Sequence, residues 1–220
     1  MQFPRGPVTN KLVIINLVIA AVLLVPSWWN YAVMAGGFFP IRFSNVAVAF
    51  PDTGFLVPTY LTPLSAAFLH GGITHVLMNM LTLLLIGKMV ERVLGGGLYL
   101  SLYFFSAYAA SATEWLASFM ALPLSIDMMA PAIGASGAIS GVIGAYALLF
   151  PNNKPKAWGP IPAAYARPFH LTLAWVGLNL ALGFVGPGIG VAIAIWSHIG
   201  GFIAGLLLAR PMLLWRYRSA

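Results

Sequence analysis

An all-α polytopic membrane protein of six transmembrane helices is the fold this chain encodes, and composition, apolar run length and charge distribution each say so. Of its 220 residues 60 % are hydrophobic and 7 % charged, with a mean hydropathy of +0.91, a balance no ordinary soluble domain can bury. Six runs, at about 12–32, 71–89, 98–120, 134–150, 169–186 and 189–209, are long enough, or nearly so, to cross a hydrocarbon core of about 30 Å. With the N-terminus cytoplasmic, that face receives Arg5, Lys11, Lys88, Arg92, Lys154, Lys156, Arg167, Arg210, Arg216 and Arg218, and only Arg42 falls outside. Ten of the eleven basic residues then lie on one side, as the positive-inside rule requires, and both termini are cytoplasmic.

The same distribution accounts for the +7 net charge, so no nucleic-acid partner is implied; the partner is the lipid bilayer. The absence of cysteine excludes disulfide and thiolate chemistry. Residues 1–220 read as a single transmembrane domain.

The first run is too long for a cleaved signal peptide and no small-residue cleavage site follows it, so it stays as a helix. The outer connection 33–68 carries Phe38, Phe39, Phe43, Phe50, Phe55 and Tyr60 among prolines. Its rings either lie in the membrane interface or pack as in an ordinary loop. The second run ends in Lys88, Glu91 and Arg92 and is stopped by Gly95-Gly96-Gly97, with Glu91 paired locally. The fourth run is short and opens with Gly134-Ala135-Ser136-Gly137. If it ends at Phe150, it begins about 7 to 9 Å below the outer edge of the core. Non-helical backbone at that depth must be buried in protein or line water, so residues 128–133 dip into a polar cavity open to the outside. Gly137, Gly141 and Gly144 on the fourth run and Gly201 and Gly205 on the sixth have the spacing of closely crossing membrane helices. Between the last two runs, Gly183 to Gly190 holds four glycines and a proline, which suits either a mobile cap with Phe184 as its plug or a tight interhelical turn.

Depth turns scattered polar residues into a site. At about 1.5 Å of rise per residue, Ser136 lies about 21 Å above Phe150, His198 about 18 Å above Arg210 and His75 about 20 Å above Lys88. Asn79 shares a helix face with His75, one turn deeper. A serine between small residues at a helix start is open to close approach by a substrate backbone, beside free first-turn N–H groups. His170 falls at the inner interface, and His70 starts the turn into the second run near the outer surface. Ionisable groups inside a span are costly and face partners or water, which sets His75 and His198 apart.

Three spaced blocks carry a family resemblance: His70-Gly71-x-x-x-His75-x-x-x-Asn79-Met80, Gly134-x-Ser136-Gly137, and His198-x-Gly200-Gly201-x-x-x-Gly205. In order and helix placement they resemble the rhomboid intramembrane serine proteases, over about Thr62 to Arg210, with a similar Glu91-Arg92-x-x-Gly95 turn. The resemblance implies a six-helix rhomboid-like bundle, needing no cofactor or metal, that cleaves transmembrane protein substrates. In its minimal layout the chain resembles bacterial members, which implies a bacterial inner membrane. Ser136 is implied as nucleophile and His198 as general base, with His75, Asn79 and the backbone N–H of Ser136 as oxyanion hole and Gly137 among the stabilising set. His70, Gly134 and Ser140 are candidate supports. Two features depart from the pattern of some members: the first outer loop lacks a Trp-Arg pair, Arg42 following Ile41, and Ser140 replaces a stacking aromatic four positions after the nucleophile. The orientation of His198 then falls to packing or to the Ser140 hydroxyl.

Asp52, Glu91, Glu114 and Asp127 fall in loops or near span ends, so none is an obvious third member and a Ser136–His198 dyad is the economical mechanism. A catalytically silent relative that escorts membrane proteins is the alternative, disfavoured by retention of both Ser136 and His198. A channel or transporter would need midplane acids or inverted repeats, which the sequence does not show. A zinc peptidase fails because His70 and His75 stand about 140° apart around a helix with no glutamate accompanying them.

Overall fold

In the computed structural model, residues 5–44, 54–150, 158–189 and 193–218 are described. Their architecture is a helical membrane bundle. Helix α1 spans Pro7–Val22 and α2 spans Pro26–Gly36. The run expected at 12–32 is therefore broken. Pro26 has no N–H to give to Val22, and its ring pushes Val25 into extended backbone (φ −77°, ψ 118°).

After a short α3, Thr62–Ala66, comes α4, Ile73–Leu94, with one π-helical turn at Leu83–Gly87. Gly95, at φ +76°, takes a conformation that side chains disfavour, so that α5, Gly96–Phe119, starts with a single residue between the helices. The remaining helices are α6, Ser136–Leu149, α7, Ala163–Val185, and α8, Ile195–Arg216, the last starting six residues later than the apolar run suggests. Among the described residues three helical stretches, Ile73–Leu94, Pro168–Val185 and Ile195–Arg216, are long and apolar enough to cross a membrane by length and composition.

Helices α5, α6 and α8 form the centre of the bundle. Leu83, Tyr99, Leu102, Tyr103, Val142, Ala145 and Ala209 are buried there. The α6–α8 crossing is as close as backbones allow: a Cβ on Gly201 would overlap the Gly137 carbonyl, and one on Gly205 the Gly141 carbonyl. Outward-facing Leu77, Leu85, Phe105, Leu173, Leu207 and Leu214 are at least half exposed, an arrangement that suits lipid and would be an aggregation hazard in water. Of the three apolar stretches, that of α7 is the least buried: 11 % of its apolar window, against 33 % for α4 and α8.

Glu91 pairs across the bundle and not locally. Its carboxylate accepts from the backbone N–H of Val8 (2.9 Å) and Thr9 (2.8 Å) and from the Thr9 hydroxyl (2.7 Å), capping the N-terminal end of α1. The outer connection divides its aromatics. Phe38 and Phe39 are buried, and Phe38 exchanges backbone hydrogen bonds with Ala132 (3.3 and 2.8 Å), stitching the loop to the segment before α6. Phe43, Phe55 and Tyr60 are exposed, and Phe50 lies outside the described residues. The Arg42 guanidinium folds back to donate to the Val57 carbonyl at 2.8 Å.

Candidate active site

Gly134 reaches φ +121°, a value tolerated by glycine, and its N–H donates to the Ala66 carbonyl at 2.9 Å. That glycine step turns the chain into α6 with Ser136 as its first helical residue. The N–H groups of the first turn have no carbonyl one turn earlier to bond, so the positive end of the helix surrounds the serine. The missing side chain also makes room: a Cβ on Gly134 would stand 2.7 Å from Cε1 and Nε2 of His75.

Helix α8 brings His198 to the same point. Its Nε2 lies 2.8 Å from the Ser136 Oγ, across the glycine crossing described above. The two side chains open on a cavity of about 200 Å³ whose wall also includes His75, Gly134 and Gly137. Small residues, Ala66, Ala67, Ala107 and Ala110, make up much of the remainder. The depth count thus brings Ser136, His198 and His75 together.

His75 accepts a 3.3 Å hydrogen bond at Nδ1 from the Gly71 N–H, which places its proton on Nε2, the nitrogen against Gly134. His70 is buried, not at the surface as its position near the outer end suggested; its ring meets His75 edge-on, with centroids 5.0 Å apart. Asn79 is buried on α4 and does not line the cavity wall, and its Nδ2 has no hydrogen-bond partner among the described residues. Ser140 does not reach His198: its hydroxyl donates to the Ser136 carbonyl at 2.7 Å, one turn back.

The ring of His198 is held instead by α7. Its Nδ1 lies 2.6 Å from Oδ1 of Asn179, whose Nδ2 donates to the Trp175 carbonyl at 2.8 Å. Trp175 flanks the imidazole at 6.3 Å between centroids and stacks on Phe202 at 6.1 Å. Asn179 was passed over in the sequence because an amide in an apolar run has no recognisable spacing partner. Its one signal is that it is a lone amide in the fifth run, in a membrane where unpaired polar groups are expensive.

Glu114 is fully buried near the C-terminal end of α5, as its position in the run suggested, and accepts from the backbone N–H of Ser197 (2.8 Å) and of Ile126 (3.1 Å). It fixes the first turn of α8, one residue before His198, without touching the ring. Asp127 accepts from the Met129 N–H, and Asp52 lies outside the described residues. Phe184 is 73 % exposed and is absent from the cavity wall, so it does not plug the site, and Gly190 lies outside the described residues.

Residues 58–215 match the family model described as "Rhomboid domain". The chain is 31 % identical over 153 residues to "Rhomboid protein 1, mitochondrial" of Saccharomyces cerevisiae, covering 69 % of this chain and 41 % of that protein. It is 36 % identical over 152 residues to "RHOMBOID-like protein 4" of Arabidopsis thaliana, covering 69 % and 34 % of the two chains. It is 34 % identical over 151 residues to "Rhomboid protease GluP" of Bacillus subtilis, covering 69 % and 26 %. The matched region spans from about a quarter to two fifths of these relatives' lengths.

Proposed function

The chain belongs to the rhomboid family, and on that premise we propose that it is an intramembrane serine endopeptidase that cleaves transmembrane segments of other proteins, with Ser136 as nucleophile and His198 as general base. The observation that carries this reading is the 2.8 Å contact between the Ser136 Oγ and the His198 Nε2, inside a cavity walled by small residues. His198 takes the hydroxyl proton as Oγ attacks a peptide carbonyl, and returns it to the leaving amine when the tetrahedral intermediate collapses to an acyl-enzyme. Water then attacks the ester by the same route in reverse.

Charge develops on the carbonyl oxygen as the intermediate forms. The free N–H groups of Ser136 and Gly137, the Nε2–H of His75 and the Asn79 NH2 group, which has no partner among the described residues, are the donors proposed to meet it. Nothing in this scheme places a formal charge in the resting site. Attack by Ser136 requires an exposed peptide carbonyl, so a substrate helix must unwind locally to enter the cavity of about 200 Å³, which small or helix-weakening residues favour. The protein is proposed to sit with both termini cytoplasmic, in a bacterial inner membrane.

A fluorophosphonate, which reports an activated serine without any knowledge of the substrate, tests the assignment. Wild-type protein in detergent should take up one label, located on Ser136 by peptide mass spectrometry, and His198→Ala should slow labelling by about 10² or more. Equal labelling of wild type and His198→Ala, or a label elsewhere, would contradict it.

A further inference from the structure

The geometry points to Asn179 as the residue that locks His198 into the tautomer a general base requires. This deepens the protease reading and rests on it. A hydroxyl both donates and accepts, so the contact at Nε2 leaves the ring's proton unassigned. The other side of the ring decides it. Nδ2 of Asn179 lies 2.8 Å from the Trp175 carbonyl, an oxygen that only accepts, so the amide's NH2 group must face Trp175 and its Oδ1 must face His198. Oδ1 also only accepts, so Nδ1 of His198, 2.6 Å away, must carry the hydrogen. Nε2 is then bare, with its lone pair directed at the Ser136 hydroxyl.

Location strengthens the assignment. Asn179 is 1 % exposed on α7, whose apolar window is only 11 % buried, and both ends of its amide are in use. Trp175, one turn earlier, flanks the same imidazole, so one face of α7 supplies both the hydrogen bond and the packing that hold the ring. A carboxylate here would polarise the imidazole more strongly, but an ionised group at this depth is costly, and a neutral amide gives direction without a buried charge. Glu114 fixes the backbone of the preceding residue and leaves the ring's rotation and tautomer to Asn179.

The test is 15N NMR of histidine-labelled full-length protein, with His198 assigned by loss of its signals in His198→Gln. The wild type should show His198 as a single Nδ1–H tautomer. Asn179→Leu, of similar size but without an acceptor, should populate the Nε2–H tautomer and lower kcat by about 10²-fold with little change in KM. Asn179→Asp, which restores an acceptor, should return the Nδ1–H form and at least a tenth of the wild-type turnover. A merely structural tie between α7 and α8 would instead lower the thermal stability of both variants and leave the tautomer unchanged. Persistence of the Nδ1–H form with unaltered kcat in Asn179→Leu overturns the proposal. If the wild type neither cleaves nor labels, the protease reading falls, while the tautomer still reports on Asn179.

Discussion

Two histidines in this site hold their protons for different purposes, and each is set by a neighbour that cannot compromise. A backbone N–H at Gly71 obliges Nδ1 of His75 to accept, and the amide oxygen of Asn179 obliges Nδ1 of His198 to donate. His75 thereby presents a donor and His198 an acceptor toward one small cavity. Asn79 lies one turn inward on α4, buried, and its Nδ2 has no hydrogen-bond partner among the described residues. If that amide swings to the oxyanion as charge develops, Asn79→Ala should lower kcat by about 10- to 10²-fold with KM nearly unchanged, measured by steady-state cleavage. A rise in KM at constant kcat would place Asn79 in substrate binding. Ser136, His75 and His198 could be found from sequence because helix rise is constant, so counting residues from a charged end gives depth. Asn179 and the true partner of Ser140 could not, since ring rotation and amide direction depend on which helix packs beside them.

Among the elements, the α6–α8 crossing sets the distance on which the chemistry depends. Gly201 abuts the Gly137 carbonyl and Gly205 the Gly141 carbonyl, so the helices that carry Ser136 and His198 touch backbone to backbone. Gly201→Val should force them apart, cutting turnover by about 10²-fold, the scale of a 1 Å misplacement, and lowering stability by about 1–3 kcal/mol as an overpacked interface does. Gly177→Val on α7, where an added Cβ meets open space, is the matched control and should behave as wild type. Retained turnover in Gly201→Val, by kinetics and thermal denaturation, would show that the approach is not what positions the dyad. The glycine spacing was visible in the sequence because small residues recur at a helical period. The break at Pro26 is also written there, but an unbroken apolar run hides it. The two uses of buried glutamate were not legible. Glu91 and Glu114 cap helices whose N-terminal ends lie more than 80 residues away in the chain, and nothing local in the sequence marks such partners.

For the molecule as a whole, the bilayer does part of the work that a hydrophobic interior does in a soluble protein. Large apolar side chains line the outside as well as the core, and glycines at the α6–α8 crossing let those helices meet closely. This apolar exterior is why composition alone identified the solvent and hence the class of fold. The outer connection was harder to foresee, since its aromatics divide between burial against the segment before α6 and exposure, and its prolines, at 40, 51, 58 and 63, follow no period. The site lies where the short α6 leaves room above it, and among the described residues no acid reaches the reacting atoms. The most direct measurement is reconstitution of the purified protein in lipid vesicles with a reporter transmembrane substrate, wild type beside Ser136→Ala. Cleavage within the hydrophobic segment of the substrate by wild type, and none by Ser136→Ala at equal incorporation and helicity, is expected. Equal cleavage by both proteins, or none by a wild type that is folded and correctly inserted across a panel of transmembrane segments, would contradict the assignment of Ser136 as nucleophile.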